Sequence, residues 1–124
     1  MANRIRIKRV YDEPSADDGF RVLVDRLWPR GVAKASLAHD LWCKDLAPSA
    51  GLRTWFGHEP ERWDQFRRDY ADELKSGPAL ALMDEVLAAA GKRPVTLLYG
   101  ARDTEHNQAV VLAEAMNGRD RHAG

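Results

Sequence analysis

Two short apolar segments, residues 20–24 and 95–99, are separated by a long stretch with helical patterns. Continuous apolar runs of this length are typical of strands buried on both faces, as in parallel sheets. A third candidate strand, at 5–10, alternates apolar with basic residues, which indicates one solvent-facing side. Strands alternating with helices predict an α/β domain. We therefore expect a small three-layer fold with a short, mostly parallel sheet of three or four strands and about four or five helices.

Three later segments have the spacing of amphipathic helices. Between 60 and 75, apolar side chains recur along one stripe, which is typical of a helix packed on a core. A second helix is predicted from about 76 or 78 to 90. The last helix is predicted from about 105 to 116, with Asp103 or Thr104 as its N-cap.

Two parts of the chain allow alternative structures. Residues 36–47 fit a helix, but 41–43 also fit a short strand. One or two helical turns are expected at 52–57. The link between the strands at 5–10 and 20–25 is about ten residues long, and a parallel crossover usually needs a dozen or more. These two strands therefore form either an antiparallel pair or a parallel arrangement with a shortened crossover.

Length, charge and cysteine content narrow the class of protein. A chain of 124 residues predicts a single domain, which we place at 1–118 with a frayed tail at 119–124. The 19 basic and 19 acidic residues balance, which weakens the case for a general nucleic-acid binder. The only cysteine, Cys43, is expected to be buried and inert, and a lone thiol suits a reducing compartment. No signal peptide and no apolar run near the roughly 20 residues of a membrane span are seen, so we expect a cytoplasmic protein without membrane contact.

A polar cluster at 25–31 follows the predicted strand at 20–24, and another at 102–107 follows the predicted strand at 95–99. The carboxyl ends of neighbouring parallel strands meet at one edge of a sheet, where α/β proteins bind ligands. Free N–H groups at a helix start can hold phosphate or carboxylate, and Arg26, Arg30 and Arg102 could add further donors. We therefore expect a pocket for a small anionic ligand, phosphorylated or carboxylated, with nucleotides as one such class.

Two groups of residues are candidates for this pocket. The residues that could transfer a proton are Asp25, Asp103 and His106. The residues that could bind the ligand are Arg26, Trp28, Arg30, Tyr99, Arg102, Asn107 and His58. No metal site is predicted, because no pair of candidate ligands has a metal-binding spacing. No motif indicates a cofactor or an oligomeric state, and catalysis and simple binding both stay open.

Each main candidate also has a structural interpretation. Asp25 could pair with a nearby arginine and lock the loops together. Trp28 before Pro29 could be a packing plug, and Asp103 could act only as a helix cap. His106 could face solvent in the first helical turn, and His58 could simply join two helices.

Two other functions compete with the anion pocket. A nucleic-acid or protein binding module could use the helix at 60–75, where arginines are interleaved with aromatic residues. Acidic residues offset this charge, so nucleic acid is possible but not favoured as a partner. The remaining alternative is a non-catalytic protein whose polar clusters are structural ion-pair locks.

Strings of residues along nearly the whole chain match those of one known family. They are residues 21–31, 41–42, 47–49, 52–53, 55–58, 60–63, 95–99, 103, 106–107 and 109–112. The long string Asp-Arg-Leu-Trp-Pro-Arg-Gly at 25–31 is specific. The chain resembles the YeaO-like branch of the domain of unknown function 488 family. The resemblance implies a small bacterial or archaeal α/β protein and implies no activity.

A longer branch of that family differs at the candidate site. It ends its last strand with a cysteine and carries Cys-His-Arg at the start of the final helix, where this chain has Tyr99 and residues 107–109. The resemblance therefore does not carry thiol chemistry over to this chain. It also implies a shortened crossover and a parallel sheet, with the two polar clusters together.

Overall fold

The computed structural model of the protein describes residues 4–35 and 37–123. Three parts of the predicted elements lie outside the described residues: residues 1–3 of the domain, residue 36 of the segment at 36–47, and residue 124 of the tail. The strands are Ile5–Arg9 (β1), Phe20–Leu23 (β2), Leu41–Trp42 (β3) and Val95–Tyr99 (β4). The α-helices are Ala50–Phe56 (α1), Trp63–Glu73 (α2), Gly77–Ala90 (α3) and Gln108–Ala123 (α4).

The sheet has the order β1-β4-β2-β3, and every pairing is parallel. Val95 at the start of β4 is level with Ile5 on one side and with Phe20 on the other. All residues of β2 and β4 are buried, as their mostly apolar character predicts, and the burial extends to Arg21 and Thr96. The α/β class and the short parallel sheet are therefore confirmed. The antiparallel alternative for the first two strands was wrong, because β4 lies between them.

The shortened crossover between β1 and β2 is held by polar contacts around a single 3₁₀ turn, Ala16–Asp18. The Ser15 side chain caps this turn, and the Asp18 carboxylate in return accepts from the Ser15 N–H. Asp18 also accepts from Lys8 of β1 at 3.0 Å and from Arg21 of β2. These contacts join both strands to the turn, so no crossover helix is needed.

Gly19 allows the chain to enter β2 tightly against the start of β4. Its φ of +65° favours glycine, and a Cβ atom there would overlap the carbonyl oxygen of Pro94. That carbonyl accepts the first hydrogen bond of β2, from the Phe20 N–H at 2.8 Å. The close approach and the hydrogen bond therefore involve the same Pro94 carbonyl.

The two faces of the sheet are covered differently. All four α-helices pack on the face that carries Phe20, Val22 and Leu97, and they form the main core there. Leu23 and Leu98 point to the opposite face, because side chains alternate along a strand. That face is covered by the segment at 24–40, which has no regular structure in its described part. The third layer of the domain is therefore irregular.

The predictions at 41–43, 52–57, 60–75 and 76–90 fit the observed β3, α1, α2 and α3 in type and approximate position. A 3₁₀ turn at Pro60–Arg62 leads into α2, so the first residues of the predicted helix at 60–75 are in a 3₁₀ helix and the α-helix begins at Trp63. The short strand was the right alternative for 41–43. Each of the three helices shows its own apolar spacing or turn residues within a few positions of sequence.

The limits predicted for the last helix were wrong at both ends. Asp103 does not cap the helix; its carboxylate accepts from the N–H groups of Glu105 at 2.9 Å and His106 at 3.0 Å, which closes a turn before α4. Asn107 instead accepts from the Val110 N–H at 3.3 Å, at the start of α4. An aspartate makes the same local bonds in a turn as at a helix cap, so the sequence does not distinguish them. The helix continues past Gly118 to Ala123, while the predicted domain boundary and tail stay predictions.

Candidate functional site

The two polar loops lie at one edge of the sheet, since they follow the neighbouring parallel strands β2 and β4. The Oδ2 atom of Asp25 accepts a hydrogen bond from the Gly100 N–H at 2.8 Å. Its Oδ1 atom accepts from the side-chain amide of Gln108, the first residue of α4. The carboxylate of Asp25 therefore joins the ends of both strands, and the expected shared edge is observed.

A cavity of about 400 Å³ opens at this edge, and we call it the Asp25 cavity. Its polar side chains include Asp25, Arg26, Arg30, Arg53, His58 and Gln108. Its apolar walls include Trp28, Pro29, Phe56 and Phe66. A mostly apolar cleft with a few convergent polar groups is the usual form of a small-molecule site.

Asp25 is the only acidic residue that lines this cavity among the described residues. Burial raises its pKa from 3.8 to about 6, although hydrogen bonds from Gly100 and Gln108 and the positive charges of His58 and Arg53 act in the opposite direction. Within residues 4–35 and 37–123, Asp25 forms no salt bridge. The ion-pair lock considered for Asp25 is therefore not present.

The two arginines of the first loop differ in exposure. The Nε atom of Arg26 is buried and has no hydrogen-bond partner among the described residues. Arg30 is exposed, and its carbonyl oxygen is held by the Tyr11 hydroxyl at 3.0 Å. This contact holds the loop backbone at Arg30, and Arg30 also lines the cavity.

Trp28 has the packing role considered for it and also lines the cavity. Its indole N–H donates to the Val32 carbonyl at 2.6 Å, and its ring lies edge-on to Trp42 at 5.3 Å. Trp42 in turn donates to the Asp25 carbonyl at 2.8 Å. The two tryptophans therefore support the backbone that carries the carboxylate of Asp25.

The predicted side chains of the second loop lie outside the cavity. Asp103 and the Nδ1 atom of His106 are 3.0 Å apart, and hydrogen bonds from Glu105 and His106 hold the pKa of Asp103 below its ordinary value. The His106 ring packs edge-on against Trp63 of α2 at 5.2 Å. Arg102 is exposed and is not among the residues that line the cavity. The loop contributes Gly100 and Ala101 to the cavity instead.

Tyr99 and Asn107 are buried beneath the second loop, at 2% and 1% exposure. Burial raises the pKa of the Tyr99 hydroxyl, and the Asn107 amide donates to the Asp103 carbonyl at 2.8 Å. Both residues shape the loop and do not line the cavity. Of the candidate residues, Asp25, Arg26, Trp28, Arg30 and His58 are the ones brought together.

Three lining residues extend the site beyond the first loop. His58 follows α1 with a left-handed φ of 58°, and this turn brings it to the cavity. Arg53 of α1 and Gln108 of α4 were not among the predicted site residues. Arg53 lies in a string that matches the resembled family, and Gln108 directly follows the second polar cluster, so both had a signal in the sequence.

Other predicted features have clear positions. Cys43 is buried at 7% exposure, as expected, and burial raises the pKa of its thiol. In the helix at 60–75, Phe66 and Tyr70 are buried core residues.

Within the described ranges, no three His, Cys, Asp or Glu side chains gather as potential metal ligands. No helix in that part of the chain has the length and apolar content to cross a bilayer.

Comparison with known proteins identifies relatives over nearly the whole chain. Residues 4–123 match the model of a family described as "Inactive DUF488-N3 subclade". Uncharacterised proteins of Mycobacterium tuberculosis and Mycobacterium bovis are each 45% identical over 116 residues, covering 94% of this chain and 96% of the relative. The uncharacterised protein YeaO of Escherichia coli is 46% identical over 114 residues, covering 89% of this chain and 94% of YeaO. No solved structure matches. The chain therefore belongs to the domain of unknown function 488 family, in its YeaO-like branch.

Proposed function

We propose that the Asp25 cavity binds a small anionic molecule, phosphorylated or carboxylated, of which nucleotides are one class. One observation carries this proposal: three arginines and a histidine border the cavity, while its one described carboxylate, Asp25, forms no ion pair. Arginine donates in a planar fork that fits phosphate and carboxylate groups. The excess positive charge therefore favours an anion as the ligand.

We propose binding without catalysis. The matching family model describes its subclade as inactive, and this description favours a binding role for the present chain. Asp103 and His106, the other acid–base candidates, bond to each other outside the cavity. Asp25 is left as a ligand-binding group. We place the protein in the cytoplasm in this proposal, because its one cysteine suits a reducing compartment.

A thermal-shift screen with nucleoside monophosphates and small phosphorylated or carboxylated metabolites tests this proposal. A ligand that binds only the folded state raises the melting temperature with its concentration. We expect Arg30→Gln and Arg53→Gln to reduce that shift. Arg102→Gln is the matched control, since Arg102 is exposed and lies outside the cavity.

Two results would contradict the proposal. One is the absence of a shift with every anionic compound. The other is a shift that Arg30→Gln and Arg53→Gln leave unchanged. Binding of single-stranded nucleic acid that weakens steeply with salt would instead favour the binding-module alternative.

A further inference from the structure

We infer that the ligand of the Asp25 cavity is a guanine nucleotide, whose base donates two adjacent N–H groups to Asp25 and whose phosphate contacts the arginines. This inference rests on the proposed function and specifies its ligand.

The carboxylate of Asp25 is oriented by one protein donor on each oxygen. Gly100 donates its N–H to Oδ2 at 2.8 Å, and the Gln108 amide donates to Oδ1. An ionised carboxylate offers about four acceptor positions, so about two stay available. Asp25 lines the cavity and is only partly buried, so a ligand there can approach its carboxylate.

The hydrogen bonds from Gly100 and Gln108 do not offset the effect of burial on the pKa of Asp25. Burial keeps its pKa near 6 despite those hydrogen bonds, and no salt bridge to Asp25 occurs among the described residues. A ligand with two parallel N–H donors would complete the set of hydrogen bonds and favour the ionised form. Because each oxygen accepts only one protein donor, a paired donor matches the remaining acceptor positions of this carboxylate.

Among the common nucleobases, guanine carries this pair of donors. Its ring N–H lies beside its exocyclic amino group, so both can point to the two oxygens of one carboxylate. Adenine and cytosine present one donor beside an acceptor, and uracil has one N–H between two carbonyl groups. Hypoxanthine keeps the ring N–H of guanine but lacks the amino group, which makes it a matched probe.

The rest of the cavity fits a planar base with an attached phosphate. The half-buried Trp28 lines its apolar wall together with Phe56 and Phe66, so a ring system can pack there. Arg30, Arg53 and His58 border the same cavity and can contact the phosphate. The volume of about 400 Å³ lies within the range of small-molecule sites, about 300–1,000 Å³.

Isothermal titration of the full chain with GMP, IMP and AMP tests the inference. We expect GMP to bind about 10- to 100-fold more tightly than IMP and AMP, as a bidentate contact discriminates between bases. In Asp25→Asn, we expect GMP to fall to the affinity of IMP. This variant can keep its internal contacts, because the Gln108 amide can turn over to accept from the new Asn. Arg102→Gln should keep both affinity and preference.

The possible results separate this inference from the proposed function. Equal binding of GMP, IMP and AMP would overturn the guanine assignment and leave the anion pocket intact. A GMP preference that persists in Asp25→Asn would also overturn it, because the preference would then come from other groups. If neither these nucleotides nor any other anionic compound binds, both the inference and the proposed function fail.

Discussion

Asp25→Asn should make the stability of the protein less dependent on pH. At pH values above the pKa of Asp25, the folded wild-type protein has a buried, negatively charged carboxylate at this position. The variant has a neutral amide of the same size. Gly100 can still donate to the amide oxygen, and Gln108 can accept from the amide nitrogen. The substitution therefore changes the charge of the side chain with little change in packing.

The sign and size of the effect follow from the pKa of Asp25. Burial raises this pKa from 3.8 to about 6 in the folded state. The protonated group favours folding, so its contribution is complete below pH 3.8 and is lost as the pH rises through about 6. At about 1.36 kcal/mol per pKa unit, the wild-type protein loses about 3 kcal/mol relative to the variant over this range.

Urea unfolding at a series of pH values from about 4 to 8 measures this difference. We expect the free energy of unfolding of Asp25→Asn, minus that of the wild type, to increase with pH and level off near pH 7. A difference that is flat or decreases over this range would refute the argument. Asp84→Asn is the control: the hydrogen bond from Arg119 lowers the pKa of Asp84, so its contribution is lost only at more acidic pH and its difference should stay flat here.

Two further predictions concern the core and the crossover. Tyr70→Phe should lower the free energy of unfolding by about 1–3 kcal/mol, because it removes the hydroxyl that donates to the Leu46 carbonyl in the interior; a urea midpoint equal to wild type would contradict this. Gly19→Ala should cost about 3 kcal/mol or more, since its Cβ would overlap the Pro94 carbonyl oxygen. Gly31 also has a positive φ, +75°, but nothing lies near an added Cβ, so Gly31→Ala should lower the free energy of unfolding by only about 1 kcal/mol. Similar melting temperatures for Gly19→Ala and Gly31→Ala would show that the contact with Pro94 is unimportant.

The elements of the fold could be predicted where they carry a local pattern. The apolar runs of β2 and β4 identify buried strands, and the apolar stripe of α2 identifies a helix. The position of β4 between β1 and β2 could not be predicted, because strand pairing depends on contacts between residues far apart in sequence. β3 pairs with β2 through only two residues, which is too short for a periodic pattern.

The site could be predicted to the level of the loops, and less well to the level of side chains. Asp25 was found because it directly follows a strand, whose end fixes its position at the edge of the sheet. Gln108 was missed because the last helix was expected to begin at 105 and begins at 108. Residues 105–107 form a turn instead, so Gln108 stands at the first position of the helix, beside the end of β4, and not inside its first turn. The buried position of Asn107 depends on the same turn.

The irregular layer at 24–40 has a consequence for local stability. Its described backbone, at 24–35 and 37–40, lacks the repeating hydrogen bonds of a helix, so its amide protons can exchange through local opening, while those of β2 and β4 require a much larger unfolding event. Residues 26–30 belong both to this layer and to the wall of the Asp25 cavity. A molecule bound in the cavity would therefore slow deuterium uptake first in this segment.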